Sequence, residues 1–205
     1  MTSTVWTTVV ALSALALVAL PHAGAPAAAV AGTHPGGPPD TLVVNSRAST
    51  VRWKASGLGG RAAREGTIGR AEGMFVIRHQ QLTSGVFTVS LRQLDAALQR
   101  EELFDVARHP TASFRSTGMK RVSPDRWEVT GDLTMRGVSR PVTFEAQVRW
   151  EELGHMIATS TFTIDRREWG IGTRGAGIVS DVTDPGIQLA VTLDALRKQA
   201  AVATR

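Results

Sequence analysis

The residues most able to do chemistry are five histidines, His22, His34, His79, His109 and His155, and they lie far apart along the chain. No His-x-His, His-Glu-x-x-His or carboxylate-rich loop accompanies them, so zinc and calcium have no ligand set at readable spacing. Nucleophilic chemistry fares no better. The chain has no Cys and no Tyr, which excludes thiolate catalysis and phenolic acid–base work, and no Gly-x-Ser-x-Gly elbow presents a serine. Phosphate-binding and dinucleotide glycine loops are also missing. The run Gly170–Gly177 follows Trp169 in a strand context and reads as a loop needing positive φ. Asp132 and Asp165 have no acid–base partner at readable spacing, and Arg166 beside Asp165 suggests ion pairing. This inventory predicts no catalytic group, no metal and no cofactor.

A chain without evident chemistry must be read from the elements it builds. Its 205 residues are 42% hydrophobic and 20% charged, a globular composition. The net charge of +5 raises the question of nucleic acid. Only Lys54, Lys120 and Lys198 are Lys, the Arg are spread from Arg47 to Arg205, and the densest groups are the pairs Lys120-Arg121 and Arg166-Arg167. A phosphate-tracking surface needs clustered charge interleaved with stacking aromatics, so nucleic acid is not expected as a partner.

Val9–Leu20 is an uncharged stretch of twelve residues, suited to the hydrophobic region of a signal peptide and shorter than the ~20 residues of a spanning helix. Ala-x-Ala sites follow at Ala23–Ala25, Ala27–Ala29 and Ala29–Ala31, and Gly24–Asp40 is Ala, Gly and Pro with almost no large apolar group. Residues 1–31 are therefore expected to be a cleaved signal peptide and 32–40 a linker, with the product periplasmic or extracellular. One feature dissents: the first Lys or Arg is Arg47, so retention of the leader as an apolar anchor is the alternative.

From residue 41 onward the pattern is that of strands. In Pro141–Trp150, Val142, Phe144, Ala146, Val148 and Trp150 alternate with polar residues. Upstream, Trp127, Val129, Leu133 and Met135 share one face, and Arg136–Arg140 is about the length of a hairpin loop. Further alternations fall at Val51/Trp53/Ala55, Phe87/Val89/Leu91, Ser160/Phe162/Ile164 and Ile187/Leu189/Val191/Leu193, with shorter strands near 72–78 and 112–119. About eight such strands predict an antiparallel sandwich or barrel. Leu94–Ala107 breaks the period: Asp95 can cap, helix formers follow, and Pro110 stops the run. A short helix or helical turn over one opening of the sheet is expected there.

Several stretches resemble the YceI-like lipid/polyisoprenoid-binding proteins: ELFDVARHPTASF at 102–114, VTGDLTMRGVSRPVTF at 129–144, FTIDRREWGI at 162–171 and IQLAVTL at 187–193. They are collinear and span about 41–196, leaving 197–205 as a tail. The resemblance implies an all-β, extended eight-stranded antiparallel barrel, lipocalin-like, whose lumen holds a long isoprenoid or fatty chain. It also implies export. The chain departs from the pattern between Leu94 and Leu103, where the polar loop usual in the family is short, and over 56–73, which follows only loosely.

Alternation and resemblance together nominate the ligand-contacting residues. From the first half of the barrel these are Trp53, Phe75, Phe87, Val89, Phe114, Leu133 and Met135. From the second half they are Phe144, Val148, Phe162, Ile164, Trp169, Leu189 and Val191. Trp169, opening a Gly-rich loop, would either meet the ligand or plug the barrel end. The expected function is a non-enzymatic carrier or store of an isoprenoid or other lipid, in at most transient contact with a membrane surface. An enzyme acting on an apolar substrate and a solid-core structural barrel are the alternatives. Oligomeric state is left open.

Overall fold

The computed structural model describes residues 40–55, 64–78, 81–172 and 184–198. The leader at 1–31, most of the linker and tail, His79 and much of the Gly-rich run lie outside the described residues. Ten strands are described: β1 (Asp40–Val44), β2 (Thr50–Ala55), β3 (Arg64–Gly69), β4 (Ala71–Arg78), β5 (Gln81–Ser90), β6 (Thr111–Arg121), β7 (Arg126–Met135), β8 (Val138–Trp150), β9 (His155–Asp165) and β10 (Gly186–Arg197). All pairings among them are antiparallel.

The ten segments make an eight-stranded closed barrel. β1 pairs with the end of β10 (Val44↔Ala195) and β2 with its beginning (Ile187↔Ala55 to Thr192↔Thr50), so β1 and β2 are two halves of one bent staff. β3 and β4 match them on the other side, β3 against β2 and β4 against β1. From β4 the ring runs through β5, β6, β7, β8 and β9 to β10. Alternation drives this: along β7, Trp127, Val129, Leu133 and Met135 are buried while Arg126 and Glu128 are exposed. Sequence periodicity missed β1 and β3. β1 offers only Leu42 and Val44, and β3 only Ile68, as buried large apolar groups.

The β7–β8 hairpin is tighter than expected. β8 begins at Val138, which pairs with Met135, so the loop is Arg136-Gly137 alone, with φ of 50° and 73°. Two successive residues at positive φ are the two-residue turn that fits the twist of a hairpin, and the turn aims the Arg136 side chain over the barrel rim.

No helix forms over Leu94–Ala107: a 3₁₀ turn at Leu91–Gln93 precedes the stretch, which itself consists of hydrogen-bonded turns and bends. Leu98 and Gln99 N–H both bond Asp95 O, Val106 N–H bonds Gln99 O, and His109 N–H bonds Asp105 O. Asp105 sits at φ 47°, which an α-helix does not accept. The buried Leu94 lies nine residues before Leu103, half a turn out of phase with it on a helix, so Leu94, Leu103 and Val106 cannot share one helical face. Residues 91–109 form a cover at the end of the barrel where β5 finishes and β6 begins. At the far end Leu42, Leu82, Trp127, Met156 and Ala195 are buried and close the interior.

Two neighbouring pairs of strands part along the wall. β5 and β6 pair only from Val86↔Arg115 to Ser90↔Thr111, and below this Gly85 N–H bonds Ser116 Oγ at 2.8 Å. β8 and β9 pair only from Gln147↔Thr159 to Trp150↔Met156, leaving Val138–Ala146 and Ser160–Asp165 without ladder partners on their facing sides.

Candidate functional site: a two-chambered apolar lumen

Inward-facing residues of the strands enclose two cavities. The inner one, about 120 Å³, is lined by Phe75, Phe87, Val89, Phe114, Leu133, Met135, Phe144, Val148, Phe162, Leu189 and Val191, all of them nominated from the sequence. The outer one, about 450 Å³, lies between the cover and the barrel rim, and Trp53 and Ile164 line it. Ile68, Met135 and Leu189 belong to both walls. The two chambers therefore adjoin.

Trp169 lines neither chamber. Its indole is buried and donates from Nε1 to Leu133 O at 3.0 Å, so it packs against the β7 strand end as part of the core. Gly170, at φ 66°, ends the 3₁₀ turn Arg166–Trp169 that holds the indole there, and Asp165 starts it by accepting the Arg167 N–H. The Arg167 guanidinium also bonds the Asp165 carboxylate, which holds that carboxyl below its ordinary range.

Sequence reasoning missed the small wall residues: Ala71, Ala112, Ala146, Ala158, Gly85, Ser113, Ser116 and Ser160 also line the inner chamber. Ala146 and Ser160 stand in the alternations read from the sequence but are not among the nominated contacts, because only large apolar groups are nominated there. These short side chains leave the space that the phenylalanines partly refill. Phe75, Phe87, Phe114, Phe144 and Phe162 stand in a row, with successive ring centroids 4.7, 6.3, 5.4 and 4.4 Å apart. β7 contributes Gly131 to this row, where a Cβ would overlap the Phe114 ring.

The two chambers differ in chemistry. No ionisable side chain lines the inner one, whose polar groups are Ser and Thr hydroxyls. The outer wall carries Arg64, Glu65, Asp95 and Arg166 beside Leu98, Leu103, Phe104, Ile171 and Ile187. Arg166, buried, donates to Ile171 O at 2.7 Å and Gly172 O at 3.1 Å, tying down the loop after β9. Trp53 Nε1 packs against Gly66, where a Cβ would approach to 2.9 Å. Elsewhere, His155 Nε2 and Asp194 Oδ2 lie 2.7 Å apart, and neither residue lines either chamber. No cluster of three metal-ligating side chains occurs among the described residues.

Size decides what the inner chamber can take as it stands. A cavity of ~150 Å³ lined by aliphatic and aromatic groups holds about one benzene. At about 120 Å³ the inner chamber is smaller, so a long chain enters only as the phenyl row yields.

Comparison with known proteins follows the same outline. The profile of the YceI-like domain matches residues 42–195. A UPF0312 protein of Pseudomonas putida strain GB-1 is 30% identical over 155 residues, covering 68% of this chain and 78% of its own length. A UPF0312 protein of Pseudomonas syringae pv. tomato is 31% identical over 116 residues, covering 52% of this chain and 59% of its own. Among solved structures, BcnA of Burkholderia cenocepacia superposes with a TM-score of 0.64 at 20% identity, covering 74% of this chain and 98% of its own. A polyisoprenoid binding domain from Saccharophagus degradans gives 0.62 at 12% identity, covering 77% and 98%. At those identities the two structures share the fold.

Proposed function

We propose, because this chain belongs to the YceI-like domain family, that it holds the apolar chain of an isoprenoid or other long-chain lipid inside its barrel. It acts as an exported carrier or store and does no chemistry on its cargo. The observation that carries this reading is the inner chamber: five phenyl rings and an aliphatic wall with no ionisable side chain. Such a wall has no charge to desolvate when a hydrocarbon enters, and each buried CH₂ contributes about 0.8 kcal/mol. The Saccharophagus domain, described as polyisoprenoid-binding, supports the choice of ligand class. The apolar run Val9–Leu20 with its small-residue sites supports export.

An enzyme on the same barrel would have to work from the outer chamber, where the ionisable groups are. The solid-core alternative has one observation in its favour, the small inner volume. Organic extraction of the purified protein followed by mass spectrometry separates carrier from solid core. The expected result is a lipid released in near-stoichiometric amount. An empty extract, together with no saturable uptake of a fluorescent fatty acid, would leave the solid-core reading standing.

A further inference from the structure

We infer that the parting between β8 and β9 is a lateral portal, through which a single apolar chain slides into the lumen from the side of the barrel. This rests on the lipid-holding reading above and adds the route and its gate.

The parting is bounded. Below, the ladder ends at Gln147↔Thr159, and Ser160 Oγ donates to Glu145 O at 2.6 Å. Above, Arg140 Nε donates to Glu168 O at 3.2 Å. Between these bounds lie some four residues of β8, roughly 13 Å of strand. Two strand edges face each other there without the ladder that a hairpin would ordinarily complete. The sequence supplies a reason. The Glu145 carbonyl points across the parting, so by alternation the backbone groups of Thr143 and Pro141 face the same way, and Pro141 has no N–H to offer.

Aromatic side chains stand where the ladder is missing. Continuing the register past Gln147↔Thr159 sets Phe144 opposite Phe162, and their rings stack at 4.4 Å with 8° between planes. Both rings are only half-buried although they line the inner chamber. Inside the gate is that chamber. At the lower bound of the parting, on the outside, is a polar groove of about 420 Å³, lined by Arg126, Glu145, Gln147 and Thr161, and it shares Ala146, Thr159 and Ser160 with the chamber wall. A two-ring gate with a dry interior behind it and a wet groove beside it suits an amphiphile: its polar end rests in the groove while its chain parts the rings. Moving two rings breaks no backbone hydrogen bond, whereas opening a zipped pair of strands would break several. At the β5–β6 parting Gly85 N–H bonds Ser116 Oγ just past the end of the ladder, and among the described residues no pair of stacked rings spans the gap as Phe144 and Phe162 do.

The chain has no Cys, so an introduced pair is the only thiol target. Thr143→Cys with Thr163→Cys places thiols on the exposed outer faces across the portal; Thr83→Cys with Thr117→Cys does so across the β5–β6 parting. Each double variant is joined by a short bifunctional thiol reagent, and exchange of cis-parinaric acid is followed by stopped-flow fluorescence. Joining the portal should slow both uptake and release by about tenfold or more, with affinity after long incubation unchanged. Joining the β5–β6 parting should leave the rates alone, and Phe144→Ala should speed exchange. Unchanged rates in the portal-joined protein, or slowing only by the β5–β6 bridge, would overturn the portal and point to the covered end or the other parting. If neither the joined nor the unjoined protein takes up the probe, the lipid reading itself fails, and the portal with it.

Discussion

Among the aromatic residues, position in the wall rather than chemical type separates ligand contact from packing. Phe144 and Trp169 are both large, both nominated from the sequence, and differ in what surrounds them. Phe144 faces open lumen, whereas the Trp169 indole is buried with its N–H satisfied by Leu133 O. Trp169→Leu should therefore lower stability by roughly 3–5 kcal/mol, the cost of lost volume plus a carbonyl left without its donor. Affinity for a fatty acid probe, measured on the folded fraction, should stay within about twofold, well under 1 kcal/mol. A large loss of affinity at wild-type melting temperature would return Trp169 to the ligand site. Phe144→Asp tests the opposite case. A carboxylate facing that dry wall has no partner, so both folding and probe retention should suffer. Equilibrium denaturation and probe titration read the two effects separately, and normal values for both would contradict an apolar lumen.

The elements that the sequence made legible were those whose pattern is local. β7, β8 and β10 alternate over seven to ten residues, and the structure follows them except at Trp150, which the alternation sets on the apolar face and which is exposed at the strand end. β1 and β3 are five and six residues long and carry only two and one buried large apolar groups, too few for an alternation to announce them. The cover misled for a related reason. Gln99, Arg100, Glu101 and Glu102 are strong helix formers, yet Leu94, Leu103 and Val106 must all reach the rim, and backbone turns with Asp105 at positive φ achieve that. The cover is also held from outside. Arg136 donates to Glu101 O at 2.9 Å and to Gly170 O, and Gly172 N–H bonds Glu102 O at 2.9 Å. Arg136→Asn keeps a residue that tolerates the turn's φ and removes the guanidinium. The expected loss is about 1.5–3 kcal/mol per charge-assisted bond at most, seen as a melting temperature lower by several degrees. Amide exchange should quicken over 95–109 and stay slow in β7 and β10. Uniform quickening would mean that Arg136 supports the whole barrel rather than its cover.

For the whole molecule, barrel and leader are separable readings that meet only in function. The barrel needs no disulfide, since the chain has no Cys, so its folding does not depend on an oxidising compartment. The export proposed above therefore rests on the N-terminal apolar run alone, and a defect there should strand a folded barrel rather than destroy it. Val9–Leu20 is too short to span a bilayer but long enough for a signal peptide, and small residues follow it. N-terminal sequencing of the native protein should find a start between Gly24 and Thr33, in a fraction outside the cytoplasm. Thr2 on a membrane-bound product would favour a retained anchor. Leu15→Arg places a charge at the middle of the run, where insertion is disfavoured by about 2.5–3.5 kcal/mol. The variant should accumulate inside the cell as the uncleaved chain, with the melting temperature of its barrel unchanged. Undiminished export of that variant would show that the run is not what carries the protein across.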